Sequence, residues 1–326
     1  MNSFDQMEIG LNHKLRLGIS TCLLGERVRY DGGHKLDRFL RDTLGNYVDF
    51  VPVCPEAECG LGVPREAMHL VGQPERPRLL TVNTGIDHTE RVLKWAKKRV
   101  RELEKERLSG FVFKSRSPSS GMREVKVYNE KGMPVKKGVG IFARHFMEVF
   151  PLIPVEDDGR LHDPVLRENF IQRIFVMKRW RDLLDRGMKT GNLVEFHTRH
   201  KLLIRSHSQI HYRQLGRLVA ESDRLPVDEA YKTYETVLME SLTLKTTRKK
   251  NTDVLQHMMG YFKKQLSKEE KQELLELIDQ YRSGHFPLIV PITLINHYVR
   301  KYNQPYLKEQ YYLYPHPLEL QLRNHV

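Results

Sequence analysis

Cys22, Cys54 and Cys59 are the only thiols in the chain, and all three fall near its start. An odd number of cysteines disfavours a disulfide framework, whereas three thiolates are enough to hold an iron-sulfur cluster with one iron left open. In Cys54-Pro55-Glu56 a thiolate would sit beside a carboxylate, and like charges raise each other's pKa unless a cation intervenes. A bound metal would keep the thiolate deprotonated and leave Glu56 available for proton transfer. An exposed surface glutamate is the plain alternative. The following Cys59-Gly60-Leu61-Gly62-Val63-Pro64-Arg65-Glu66 reads as a compact Gly/Pro loop. Its Arg65 could hold a phosphate or a carboxylate bidentately, or act as a structural salt-bridge partner.

Three strand candidates would position these groups. The run KLRLGISTCLLG is apolar and β-branched and reads as a buried strand ending at Cys22, ahead of the turn Tyr30-Asp31-Gly32-Gly33. Tyr47 to Val53 ends in the same way at Cys54. Gly110 to Lys114 leads into the polar loop Ser115-Arg116-Ser117-Pro118-Ser119-Ser120-Gly121. Apolar residues Val92, Leu93, Trp95, Ala96, Val100 and Leu103 predict a helix over Asp87 to Glu106. Open α/β sheets bind ligands beyond the carboxyl ends of their strands, so Cys22, Cys54 and the serine loop are expected to converge there. Buried cysteines acting only as small hydrophobes would give the same pattern. The expected fold class is α/β, with a Rossmann-like open α/β domain over residues 1–155 and an all-helical domain over 156–326.

A linker from Pro151 to Pro164 precedes that helical part. Between Val165 and Leu184, Leu166, Phe170, Ile174, Met177, Trp180 and Leu184 recur at three- or four-residue steps and form an apolar face. Asn192, Asp228, Thr252 and Ser267 mark further helix starts, and Ser267 with Glu270 fits a capping box. About six helices are expected, closing on an aromatic tail from Tyr302 to Pro317. His197, His200, His207 and His211 share a helical face with Ile204, Leu215 and Leu218. That pattern favours a mixed polar core or interdomain face over a metal site, since it fits no standard zinc motif.

Charge points to a polyanion. The 54 Lys/Arg and 41 Asp/Glu residues give +13. Residues 165–326 hold 27 basic against 18 acidic residues, and residues 1–164 hold 27 against 23. Such an excess raises the local concentration of nucleic acid, although an inert basic surface is equally compatible. Lys201, Arg205 and Arg213 lie near the histidines. Arg248-Lys249-Lys250-Asn251, His257 and Tyr261-Phe262-Lys263-Lys264 interleave cations with aromatics, which suits phosphate contacts with base stacking. No run approaches the roughly 20 apolar residues of a membrane span, and the polar start lacks the apolar block of a signal peptide. A cytoplasmic location without a membrane partner is expected.

The phrases Cys22-Leu23-Leu24-Gly25 with Tyr30-Asp31-Gly32, Val53-Cys54-Pro55-Glu56 with Gly60-Leu61 and Pro64-Arg65, and Lys114-Ser115-Arg116-Ser117-Pro118-Ser119 together resemble the thiouracil and thiouridine desulfurase (desulfidase) family over about residues 16–155. The resemblance implies a [4Fe-4S] cluster with one open iron, held by three cysteines, that takes sulfur from a thiolated pyrimidine. Two ligands carry over to Cys22 and Cys54. The third departs from the family pattern, because Ser120 stands where a cysteine is usual, and a hydroxyl is a poor iron ligand beside a thiolate. Cys59 is then the first choice for the third thiolate. A weakened or lost cluster, or an oxygen or nitrogen ligand, are the other readings.

By the same resemblance Glu56 is the proton-transfer group and Ser117 positions water or ring, ahead of Lys114, which could stabilise developing negative charge. Arg65 and Arg116 are candidate substrate contacts. Lys201, Arg205, Arg248, Lys249 and Lys250 are candidate RNA contacts. Residues Leu193 to Arg323, through Val194-Glu195-Phe196-His197, His200-Lys201, His207, Leu255-Gln256-His257 with Gly260-Tyr261-Phe262, and Pro287-Leu288-Ile289-Val290-Pro291, resemble a helical domain of unassigned chemistry found alone or behind desulfurase-like domains. A basic second domain favours thiouridine in tRNA, 4-thiouridine first, over the free base. Such a nucleotide would have to leave its stack to react. The competing readings are a nonenzymatic RNA-binding or assembly protein with a degenerate cluster site, and a mononuclear zinc site. A homo-oligomer is left open.

Overall fold

The computed structural model describes residues 14–325, and the polar start of the chain lies outside them. The chain divides into two compact units, one up to Asp163 and one from Pro164 onward. The first contains β1 (Leu15–Ser20), β2 (Val48–Val53), α1 (Pro55–Glu58), β3 (Met68–Gln73), β4 (Arg76–Thr81), α2 (Thr89–Lys105), β5 (Gly110–Phe113), β6 (Val125–Tyr128), β7 (Pro134–Gly138), α3 (Ile141–Val149) and β8 (Val155–Asp157). With β8 paired to β5, the boundary falls eight residues beyond the expected 155.

The α/β expectation holds. Four strands form one parallel sheet in the order β2-β1-β5-β8, with Ser20 opposite Val53 and Ile19 opposite Val112. Five of the six residues of β1 and all four of β5 are buried, as parallel strands covered on both faces require. α2 buries Val92, Ala96, Val100 and Leu103. Its Ala96, Val100 and Leu103 join Phe111 and Phe113 of β5 and Phe142 and Phe146 of α3 in one core, where the Phe111 and Phe113 rings stack at 4.3 Å.

A second sheet, ordered β4-β3-β6-β7, has no counterpart in the sequence reading. Its strands are short, and they carry Pro77, Arg76, Arg78, Lys136 and Lys137, while β7 is exposed along all but its last residue. β4 buries alternate residues and β6 buries Val125 and Val127, but over four to six residues interrupted by proline and charged side chains that alternation is too brief to stand out, and β7 buries only Gly138. Their partners come from pairing across the chain, as in the parallel match of Leu70 with Val127.

The second unit is all-helical, with α4 (Pro164–Asp185), α5 (Thr190–His207), α6 (Gln209–Ala220), α7 (Val227–Thr243), α8 (Arg248–Met259), α9 (Lys268–Ser283), α10 (Ile289–Lys301) and α11 (Pro305–Lys308). Eight α-helices among the described residues replace the expected six. The Ser267–Glu270 capping box is formed at the start of α9. Asn192 and Thr252 are not caps. Asn192 lies within α5 and donates to the Gly187 carbonyl at 2.9 Å, and Thr247 caps α8 instead. Ser208 breaks the histidine-bearing segment by capping α6, so His211 stands on a different helix from His197, His200 and His207.

Those three histidines belong to the core. His197 Nδ1 lies 3.1 Å from the Tyr234 hydroxyl, and His200 Nδ1 lies 2.8 Å from the Phe196 carbonyl. His207 faces the Leu244 carbonyl and the Gln172 amide. Burial lowers His197 to about 4 and His316 to about 3. An unfolded histidine titrates near 6.5, so between those values the unfolded chain binds more protons than the folded one. Stability of the full chain is therefore expected to fall as pH drops from about 6.5 to about 4, by roughly 3 kcal/mol for His197 alone. Denaturant midpoints measured across that window check it, and a flat profile would show that protonation is tolerated in place.

Candidate functional site

The order β2-β1-β5-β8 makes β1 the strand at which the winding reverses, since the chain passes from β1 to β2 on one side and later to β5 on the other. Ligands bind such parallel sheets outside the carboxyl ends, at that switch point. Most of the chemically suggestive groups of the first unit follow a strand end there, Cys59 and Arg65 being set further along the loop after β2. Cys22 lies in the turn after β1, Cys54 follows β2, Lys114 and the serine loop follow β5, and Asp158 follows β8.

Glu56 is the hub of this edge. One carboxylate oxygen accepts a 2.5 Å hydrogen bond from the Ser119 hydroxyl, and the other lies 3.7 Å from Cys54 Sγ and 3.9 Å from Arg65 Nη2. The Ser117 and Ser119 hydroxyls are 3.2 Å apart, and Ser117 Oγ also accepts from the Ser120 N–H at 3.1 Å. Arg65 reaches back to the carbonyls of Gly62 and Val28, at 2.8 and 3.1 Å. It therefore clamps the Gly/Pro loop as well as facing Glu56. Lys114 Nζ is held by Asp158 at 2.9 and 3.2 Å and by Ser115 Oγ at 2.8 Å. Arg116 points its residue outward, exposed and with a positive φ of 59°.

The serine loop is rigid for a sequence reason. The Ser119 carbonyl accepts from Phe142 N–H at 2.9 Å, and the Gly121 carbonyl accepts from Gly140 N–H at 2.7 Å, which seats the loop on the start of α3. A Cβ at Gly140 would lie 2.5 Å from the Ser119 carbonyl carbon, and one at Gly121 would lie 2.6 Å from the Ser117 carbonyl oxygen. Only glycine permits this approach.

The thiols divide into two groups. Burial pushes Cys22 up to about 11, opposed by Lys114 and assisted by Glu56. Burial and then Glu56 push Cys54 up to about 12, with Cys22 adding to the effect. Cys22 and Cys54 are thus electrostatic neighbours whose protons would leave readily only beside a strong cation. Cys59 faces elsewhere. Its Sγ donates to the Glu56 carbonyl at 3.3 Å, and its side chain packs with Met68 and Leu93 against Leu70, Leu79 and Val127.

A three-thiolate cluster is therefore met by two donors. Cys22 and Cys54 fit a soft metal, Cys59 packs against a separate apolar core, and position 120 offers a buried hydroxyl in place of a thiol. Among the described residues no group of three or more His, Cys, Asp or Glu is arranged to hold a metal ion. The expectation that Cys59 completes the set is not supported by where the chain places it. The α1 turn, Pro55–Glu58, lies between Cys54 and Cys59.

Sequence reasoning missed Asp158 and Ser119. Asp158 was absorbed into the linker, yet it is the anchor of Lys114, directly after the three-residue strand Val155–Asp157. Most basic candidates of the second unit are engaged internally. Arg205 forms a two-pronged pair with Asp253 at 2.8 and 3.2 Å, Lys250 Nζ binds the His207 and Lys245 carbonyls, and Lys201 lies over the Tyr306 ring at 4.7 Å. Arg248 and Lys249 remain exposed. No helix among the described residues is long and apolar enough to cross a membrane.

Comparison with known proteins agrees with this division. Residues 17–158 match a family model described as 2-thiouracil desulfurase, and residues 201–317 match one described as a protein of unknown function, DUF1722. The uncharacterized protein YbgA of Escherichia coli (strain K12) is 35% identical over 153 residues, covering 47% of this chain and 90% of that protein. A solved [4Fe-4S]-dependent thiouracil desulfidase is similar at 27% identity with a TM-score of 0.36, covering 46% of this chain and 95% of that one. The chain belongs to the YbgA family, with a thiouracil desulfurase-like domain joined to a DUF1722 helical domain.

Proposed function

We propose that the first unit hydrolyses the thiocarbonyl of a thiolated pyrimidine, converting C=S to C=O and releasing sulfide, with thiouridine in tRNA, 4-thiouridine first, as the substrate. The observation that carries this reading is the Glu56 carboxylate, shared between the Cys54 thiol and the Ser119 hydroxyl at the sheet's switch point. The family match over residues 17–158 supports the substrate class.

Glu56 takes a proton from water as its oxygen bonds to the thiocarbonyl carbon, and the C=S electron pair moves onto sulfur. Collapse of that adduct restores C=O and breaks the C–S bond. Glu56 returns its proton to the departing sulfur, which leaves as HS−, and then takes the second water proton from the adduct hydroxyl and passes it to solvent, so both protons of water are placed and no external electron donor is needed. Ser119 and Ser117 orient the carboxylate by their 2.5 and 3.2 Å contacts. Lys114, fixed by Asp158, offers positive charge to the developing anion. A [4Fe-4S] cluster at Cys22 and Cys54 would supply a soft acceptor for sulfur, but the donor set present does not fit three-thiolate ligation.

The test is sulfide release. The full chain, reconstituted anaerobically with iron and sulfide and then desalted, is given 2-thiouracil, 4-thiouracil and thiouridine-containing tRNA, and sulfide and loss of thione absorbance are followed. Release from at least one substrate is expected, and release from none overturns the proposal. Binding of tRNA without release would favour the second reading, an RNA-binding protein whose cluster site has decayed. The buried hydroxyl at position 120, a poor iron ligand beside a thiolate, is the observation on that side.

A further inference from the structure

The face of α2 opposite the core carries Lys94, Lys97, Lys98, Arg101 and Lys105, all exposed. Their spacing of three, one, three and four residues places them on one side of a helix, along roughly 16 Å. They line a shallow depression of about 420 Å³ together with Glu102. Among the described residues only Lys98 of the five is ion-paired, to Glu102 at 3.9 Å. The helix contains seven basic and three acidic residues, which equals the whole net charge of residues 1–164. Like charges three and four positions apart destabilise a helix, so folding alone does not explain the stripe.

We propose that this face of α2 is the docking surface for the phosphate backbone of RNA. The stripe stands on a rigid support, since Val92, Ala96, Val100 and Leu103 on the other side are buried in the core. That burial also decides between polyanions. A helix that binds an acidic membrane inserts an apolar face, and the apolar face of α2 is fully occupied. The stripe is tied to the catalytic edge through two arginines of the same helix. Arg91 binds the carbonyls of Cys59 and Gly60 at 2.9 Å each, and Arg99 pairs with Glu58 at 3.2 Å, whose other oxygen accepts the Cys54 N–H at 2.8 Å. A backbone held along α2 is thereby held in fixed relation to Glu56. This placement rests on the desulfurase reading for the choice of RNA as polyanion, and it moves the principal RNA surface from the second unit, where Arg205 and Lys250 are engaged internally, to the first.

The experiment neutralises the unpaired members in the full chain, Lys94→Gln, Lys97→Gln, Arg101→Gln and Lys105→Gln together, all being exposed positions where Gln is a good helix former. Affinity for an unmodified tRNA is measured over a range of salt, beside a charge-matched control with Lys126→Gln, Lys131→Gln, Lys136→Gln and Lys137→Gln. The α2 variant is expected to lose roughly 10- to 100-fold in affinity near 0.1 M salt and to flatten the salt slope by about 3, with the control near the parent. Turnover of free thiouracil is expected to be unchanged. Equal losses in both variants, an unchanged slope in the α2 variant, or a parent chain that does not bind tRNA at low salt would each overturn the proposal. These readouts do not need catalysis, so a parent that binds RNA but releases no sulfide fails the desulfurase reading alone.

Discussion

Glutamine at position 56 is expected to lower kcat for sulfide release by roughly 10²- to 10⁴-fold while leaving KM for a free thiobase within a few-fold. Glu56→Gln preserves shape and can still accept the Ser119 hydrogen bond at its amide oxygen. What it removes is the ability to take and return a proton, which both halves of the hydrolysis require. The split between kcat and KM distinguishes this from a structural role, because a collapsed site would lose substrate as well. The ion pair with Arg65 is long, at 3.9 Å, and Arg65 keeps its two carbonyl partners without it, so the loop is expected to remain in place. Equal activity of the variant and the parent would remove Glu56 from the mechanism and with it the observation on which the desulfurase reading rests.

The second large effect is a gain. Ser120→Cys is expected to increase iron retention after reconstitution by at least the roughly 10- to 100-fold that even outer partners of a metal ligand contribute. Position 120 lies in the loop that Gly121 and Gly140 fix, and its N–H bond to Ser117 Oγ is a backbone bond that the substitution keeps. A thiol there would offer a third soft donor at the edge shared by Cys22 and Cys54, and soft thiolates are what iron-sulfur clusters select. Cys59→Ala serves as the contrast, with no change expected, because that side chain packs beside Met68 and Leu93. Iron and acid-labile sulfide per chain are the measurement. Loss of iron in Cys59→Ala, with none gained in Ser120→Cys, would return the third ligand to Cys59.

The halves of this chain were legible to different depths. The parallel strands β1, β2 and β5 and the helix α2 announced themselves, because each buries a continuous or regularly spaced apolar set. The capping box at Ser267 was equally local, one hydroxyl and one carboxylate three residues apart. The second sheet was silent, since strands such as Pro134–Gly138 owe their existence to partners and hardly to their own burial. The histidine series looked like one face of one helix until Ser208 ended α5 and began α6.

Residue identity determined which groups this protein has for chemistry: two strand-end cysteines, a carboxylate two residues after one of them, and a serine loop that includes Ser120. Sequence also set the parallel order's ingredients and the cationic spacing of α2. Only the tertiary structure decided which of these groups meet. It brought Ser119 to within 2.5 Å of Glu56 across 63 residues, anchored Lys114 on Asp158 across 44, and packed Cys59 beside Met68 and Leu93. The physical reason is that a side chain's neighbours follow from strand order and from the direction of each turn. Spacing along the chain fixes those only within a single helix or strand.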